Sequence, residues 1–234
     1  MLTAGNAAKL YCLQLIEEAV AALADSPFRI IDLGCGDGRN FVELLRRRPQ
    51  IRYIGVEPSR RAADAARRRL PDAEIINSPA YGFRSEPADA VVSFSVLEHV
   101  VDRPRYLAAV AANLRDDGRA YLNYDAGHFT FDADLIERAK AAAGRLLARF
   151  GDESRYRLPV RTAELPAALA AAGLRVVEEK GFNTDLKLSY RSVPPDRRPL
   201  FMERWLAFEL ELSASGFGYE SGIFRTHNLV LTRA

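Results

Sequence analysis

The sequence predicts an α/β protein built on an open parallel sheet with helices on both faces. Three observations carry this. Strand-like and helix-like segments alternate five times before residue 125, the order that parallel strands joined by crossover helices require. The strand-like segments are short and nearly all apolar, as strands covered on both faces are. The first of them runs directly into a glycine-rich turn, Gly34-Cys35-Gly36-Asp37-Gly38.

The elements follow in order. Over residues 7–24, Leu10, Leu13, Ile16, Val20 and Leu23 recur at helical spacing, and Pro27 stops the helix. Phe28-Arg29-Ile30-Ile31-Asp32-Leu33 is a buried strand, and the helix beyond the glycine turn spans about 39–47. Ile51 to Glu57 form a second strand, and Ser59 caps a helix that ends near Pro71. Residues 73–76 and 90–95 are strands three and four. A helix over 104–114 begins with Pro104 in its first turn, where a missing N–H costs nothing. Asp116-Asp117-Gly118 turns into a fifth strand at 120–124. Residues 132–149 and 162–172 are helical, 174–178 is a sixth strand, and 228–232 a seventh. Between the last two strands lie two proline-rich turns and an amphipathic helix around Met202–Leu212.

With 234 residues, 48% of them hydrophobic, the chain fits one domain. Its core takes about 25–125, 162–182 and 227–234; segments 126–161 and 183–226 are expected to form a lid. A net charge of +2 gives no long-range attraction to nucleic acid or anionic membranes, and neither is expected as a partner. The arginine clusters at 46–48, 60–61 and 67–69 read as solvated helix faces. Cys12 and Cys35 form no CxxC pair, there is no signal peptide pattern, and no apolar run is long enough to span a membrane. The expected location is the cytoplasm.

In an open sheet of this kind, ligands bind beyond the carboxyl ends of the strands. The glycine turn lies there, but it does not complete G-x-G-x-x-G: the third position is Arg39 or Phe41. Asp37 also sets a negative charge in the turn, unfavourable beside pyrophosphate and favourable beside a sulfonium or ammonium group. No Gly-Lys-Ser/Thr follows, so a P-loop is excluded. Glu57, 25 residues after Asp32 at the end of the second strand, is placed to accept hydrogen bonds from both hydroxyls of a ribose.

Ile30-Ile31-Asp32-Leu33-Gly34-Cys35-Gly36-Asp37-Gly38 resembles the first motif of the class I methyltransferases, and Gly55-Val56-Glu57-Pro58-Ser59 their second. Ala88-Asp89-Ala90-Val91-Val92-Ser93, followed by Val96-Leu97-Glu98-His99-Val100, is similar to the fourth-strand region of the small-molecule branch. Leu114-Arg115-Asp116-Asp117-Gly118 corresponds to its turn before strand five. The resemblance covers about residues 28–125. It implies a Rossmann-like three-layer sandwich with a seven-stranded sheet, its last strand antiparallel between the fifth and sixth. It also implies S-adenosylmethionine as cofactor, with S-adenosylhomocysteine as product. Asp32, Gly34, Cys35 and Gly36 would hold the methionine part, and Glu57 with Pro58 the ribose. Asn77 and Ser78 would bracket adenine where many relatives have an Asp, and Ser95, Val96 and His99 would line the cofactor after strand four.

No metal is expected, because Ser95-Val96 and a lone Asp125 stand where metal-dependent relatives carry their ligands. The absence of an Asn/Asp-Pro-Pro-aromatic motif, a Pro-Cys nucleophile and a second loop glutamate sets aside the base-, cytosine- and arginine-modifying branches. His128, just past strand five, is the candidate general base, with Asp125 as the alternative. Tyr190, Phe201, Trp205, Phe208, Phe217, Tyr219 and Phe224 make the lid aromatic, which suits an apolar or aromatic acceptor or packs the lid down, with a homodimer interface as a further use. The expected activity is methyl transfer to an O or N atom of a small molecule. A peptide or lipid precursor as acceptor, and a non-catalytic cofactor-binding regulator, are the alternatives.

Overall fold

The structure, a computed structural model, describes residues 2, 4–23, 26–125, 143, 144, 158, 160–182, 186–215, 224 and 226–234. Seven strands form one sheet: β1 (Phe28–Leu33), β2 (Ile51–Val56), β3 (Glu74–Ile76), β4 (Ala88–Phe94), β5 (Leu114–Asp125), β6 (Leu174–Phe182) and β7 (Thr226–Arg233). Their order is β3-β2-β1-β4-β5-β7-β6. The first five are parallel, and β7 runs antiparallel to both neighbours. The chain steps outward from β1 to β2 and β3, then returns to β4 on the other side. The carboxyl ends of β1 and β4 are therefore the switch point where such a sheet opens a crevice.

Helices α1 (Ala7–Ala22), α2 (Val42–Arg47) and α3 (Arg60–Arg69) cover one face, and α4 (Arg103–Ala112) and α5 (Leu165–Ala171) the other. Side chains alternate along each strand: Ile30 and Val92 join Leu13 and Ile16 of α1, while Ile31 and Val91 join Leu107 of α4 and Leu169 of α5. Each such fully buried Leu or Ile contributes about 1.5–3 kcal/mol relative to exposure. Caps fix where the helices start. Asn6 accepts the Lys9 N–H ahead of α1, Ser59 the Ala62 N–H ahead of α3, and Asp102 the Arg105 N–H ahead of α4.

The structure departs from the sequence reading in three places. Helix α2 begins at Val42 because residues 39–41 form a turn that drives Phe41 into the core, where its ring lies 4.8 Å from that of Tyr53. Asp116-Asp117-Gly118 lies inside β5: Ala88 pairs with Leu114 and Ala90 with Arg119, so a bulge absorbs the expected turn. A short helix, α6 (Lys187–Ser192), precedes α7 (Arg198–Ala214).

The aromatic residues between β6 and β7 include several that pack down, one of the uses the sequence leaves open. Helix α7 packs along α1, and Met202, Trp205 and Leu206 are buried in that face of the core. Tyr190, Phe201 and Trp205 contact one another, with ring centroids 6.0–6.3 Å apart. The Phe224 ring packs on Gly181. These rings hold the layers together. Phe208 is exposed; Phe217, Tyr219 and nearly all of 126–161 lie outside the described residues.

Candidate functional site: the cleft at the ends of β1, β4 and β5

On the α1 face, the sheet turns polar toward the carboxyl ends of its parallel strands. Asp32, Asn123 and Asp125, with Thr226 and Asn228 on antiparallel β7, are all buried there. Polar groups out of water must be bonded within the protein or to a ligand. Most of this belt is bonded within. The Ser95 N–H donates to the Asn123 carbonyl at 2.7 Å and its hydroxyl to Asn123 Oδ1 at 3.2 Å. Asn123 Nδ2 donates to Asn228 Oδ1, and Asn228 Nδ2 to the Ala8 carbonyl, both at 2.6 Å. This chain joins the exit of β4 to the first turn of α1. It also holds Ser95 at φ +56°, a left-handed conformation that costs a non-glycine residue about 1 kcal/mol or more.

Asp32 is the exception. Tyr53 Oη donates to its Oδ2 at 2.7 Å, but its Oδ1 is buried with no hydrogen-bond partner among the described residues. Burial pushes its carboxyl up to about 7, although the Tyr53 hydrogen bond and the Lys9 charge pull it down; Glu57 adds to the rise. A buried carboxylate oxygen left without a donor fits a cationic ligand group.

The glycine loop is bound to the end of β2. Gly34 and Cys35 donate their N–H groups to the Val56 carbonyl at 2.7 and 3.1 Å. Glu57 completes the brace, accepting the Gly36 N–H at Oε2 and the Ser59 N–H at Oε1, both at 2.9 Å. Each oxygen keeps lone-pair capacity for a further donor. Gly34 has φ +89°, and a Cβ there would stand 2.5 Å from Val96 Cγ2; the loop and the β4 exit are in direct contact. Asn77 gives its amide hydrogens to the Glu57 and Pro58 carbonyls at 2.8 and 3.0 Å, which leaves its Oδ1 to accept. Ser78 turns its hydroxyl onto the Pro79 carbonyl. His99 is half-buried in a 3₁₀ turn at Leu97–His99 and donates its N–H to the Val96 carbonyl. Ahead of α1, the Gly5 N–H reaches Asn40 Oδ1 at 3.3 Å, tying that segment to the turn before α2.

Residues 5–179 match the family of methyltransferase domains. The chain belongs to this family. In sequence it is 30% identical over 95 residues to trans-aconitate 2-methyltransferase from Azoarcus sp. (strain BH72), a match covering 40% of this chain and 38% of that one. The chain thus aligns with well under half of that relative. In structure it is similar to a TehB-like methyltransferase from Corynebacterium glutamicum, with TM-score 0.57, 16% identity and coverage of 93% and 86%. Magnesium protoporphyrin IX methyltransferase from Synechocystis, solved with bound S-adenosylhomocysteine, gives 0.56, 13%, 95% and 83%. The fold is therefore the Rossmann-like one of class I methyltransferases, whose cofactor is S-adenosylmethionine.

The site fits that cofactor: an orphaned buried carboxylate oxygen, a loop held open by glycines, and a braced carboxylate at the end of β2. Asp37 does not supply the free negative charge that the sequence suggests. Asp37 is held by Arg39 and Arg69, which keep its carboxyl down at about 2. Its charge is offset locally, so the site's negative potential comes from Asp32 and Glu57. Cys35 is buried beside both of these carboxylates, which raises its thiol well above the ordinary range. Its sulfur would touch a Cβ on Gly55 at 2.7 Å, so it fills the space between the loop and β2. Asp125 is buried at the end of β5 opposite Thr226; His128 lies outside the described residues. Among the described residues there is no group of three or more metal-ligating side chains, and no helix is long and apolar enough to cross a membrane.

Sequence reading missed Tyr53, Asn123 and Asn228. Tyr53 shares the parity of Asp32's face, but its contact depends on the β1–β2 register, Ile30 opposite Tyr53 and Asp32 opposite Gly55. The two asparagines meet across 105 positions of chain, and only the antiparallel seventh strand makes them neighbours.

Asp32 leads to a stability prediction. Its folded-state pKa lies above the unfolded value near 3.8, so the folded state binds its proton more tightly. The associated stability is complete below about pH 4 and is lost as pH rises through 7. Asp32→Asn, neutral throughout, should therefore gain stability over the wild type, without ligand, between pH 5 and pH 8 in urea unfolding. Parallel pH curves would contradict the assignment.

Proposed function

We propose that the chain transfers the methyl group of S-adenosylmethionine to an oxygen or nitrogen atom of a small, polar acceptor. The observation that carries this is the pair of buried carboxylates on either side of the glycine loop: Asp32 with a donor-free oxygen and Glu57 braced by Gly36 and Ser59. In this reading Asp32, Gly34, Cys35 and Gly36 hold the methionine part, with the loop supplying backbone contacts. Glu57 and Pro58 hold the ribose, and Asn77 accepts from the adenine amino group through Oδ1 beside Ser78. Ser95, Val96 and His99 close the opposite wall.

The cofactor supplies an activated methyl group on sulfur, so the chain's main task is alignment of an acceptor. Where the acceptor must first lose a proton, Asp125 at the end of β5, or His128 three residues on, takes it. The carboxylic acid named for the Azoarcus relative supports a polar acceptor. The core-packed rings of Tyr190, Phe201 and Trp205 weigh against the aromatic acceptor expected from the sequence.

Methyl transfer is tested by measuring S-adenosylhomocysteine release with pools of small carboxylic acids, amines and phenols. Release with a carboxylic acid or amine pool is expected. Release with phenols alone would overturn the acceptor class, and cofactor binding without release from any pool would favour a non-catalytic role.

A further inference from the structure

Tyr53 stands in the middle of β2, away from the motif residues, and its ring is buried against Phe41. Its hydroxyl nevertheless donates a hydrogen bond to Oδ2 of the loop's leading acid, Asp32, at 2.7 Å. The strand register explains the reach. Tyr53 sits opposite Ile30, one pleat below Asp32, on the same face of the sheet, so its long side chain spans the step up to the carboxylate. Occupation of Oδ2 sets the carboxylate's rotation and leaves Oδ1 as the oxygen without a donor among the described residues. Resting on the function proposed above, we propose that Tyr53 is a positioning residue for the cofactor, holding Asp32 oriented and ionised to receive the ammonium group of the methionine moiety.

The other ionisable groups whose charge bears on Asp32 are Lys9 from α1, Glu57 at the end of β2, Cys35 in the loop and Tyr106 from α4. Among the described residues, Lys9 and Tyr53 favour the carboxylate form; burial and Glu57 oppose it. Loss of the Tyr53 hydrogen bond should move the Asp32 midpoint, near 7 with Tyr53 present, upward by about one to two pH units. Cofactor affinity at pH 7 should then fall roughly tenfold, and the loss should vanish at high pH where Asp32 ionises in either protein.

The test compares Tyr53→Phe with the wild type. Carboxyl carbon NMR titration of the ligand-free proteins reads the Asp32 midpoint. Calorimetry with S-adenosylhomocysteine, and with adenosine, reads affinity from pH 6 to pH 9.5. An upward midpoint shift, with a pH-dependent affinity loss for S-adenosylhomocysteine and none for adenosine, supports the proposal. An unchanged midpoint, or an affinity loss equal at all pH values and for both ligands, overturns it and leaves Tyr53 a packing residue. Failure of the wild type itself to bind S-adenosylhomocysteine would instead overturn the function on which the proposal rests.

Discussion

Glu57→Ala should weaken binding of S-adenosylmethionine and S-adenosylhomocysteine by about 2–4 kcal/mol, roughly 30- to 1,000-fold. Two losses combine. The carboxylate gives up charge-assisted acceptance of the ribose hydroxyls, and the loop loses the brace that its two oxygens make to the Gly36 and Ser59 N–H groups. The fold should persist, since Glu57 follows β2 and fills no part of either apolar core. Adenosine, which carries the ribose but no ammonium group, should lose affinity to a similar degree. That separates Glu57 from Asp32 and Tyr53, whose effects should need the methionine moiety. Calorimetric titration of the variant reads the result directly, and an unchanged dissociation constant would remove Glu57 from the ribose site.

Gly34→Ala should destabilise the protein by about 2–5 kcal/mol, a large share of a typical domain's stability. At φ +89° an alanine is strained, and its methyl would sit 2.5 Å from Val96 Cγ2 and 3.1 Å from Cγ1. Gly36→Ala is the internal control. Its φ is +58°, near the left-handed minimum, and a Cβ there meets nothing within 4 Å, so about 1–2 kcal/mol is expected. Val96→Ala in the Gly34→Ala background should recover the steric part but not the backbone part. A favourable interaction energy between the two substitutions would therefore appear in a double-mutant cycle of urea midpoints. Equal losses at Gly34 and Gly36, with no rescue, would contradict the packing of the loop against the β4 exit.

Much of this site was legible in the sequence because its parts are local. The strand-to-glycine-turn passage at Asp32–Gly38 and the acid that ends β2 each lie within a few residues, where dihedral demands and strand ends leave a direct mark on residue type. What did not show is set by register and by long-range packing. Tyr53 reads as one more β-forming residue until β1 and β2 are paired, and Asn123 and Asn228 read as strand-end polar residues until β7 inserts beside β5. Asp37 is the opposite case. Its charge was read locally, but Arg69, from the end of α3, reaches back to neutralise it. The aromatics of 183–226 were open to two uses; burial of α7 against α1, with Tyr190 of α6 in contact with Phe201 and Trp205, favours packing for these three.

Two carboxylates and a glycine loop suit a cationic nucleoside better than a phosphorylated dinucleotide. Parallel calorimetric titration of the wild-type protein with S-adenosylmethionine and with NAD tests it most directly. Saturable one-to-one binding of S-adenosylmethionine, with no heat from NAD at the same concentrations, is the expected result. Saturable binding of NAD with none of S-adenosylmethionine would contradict the account.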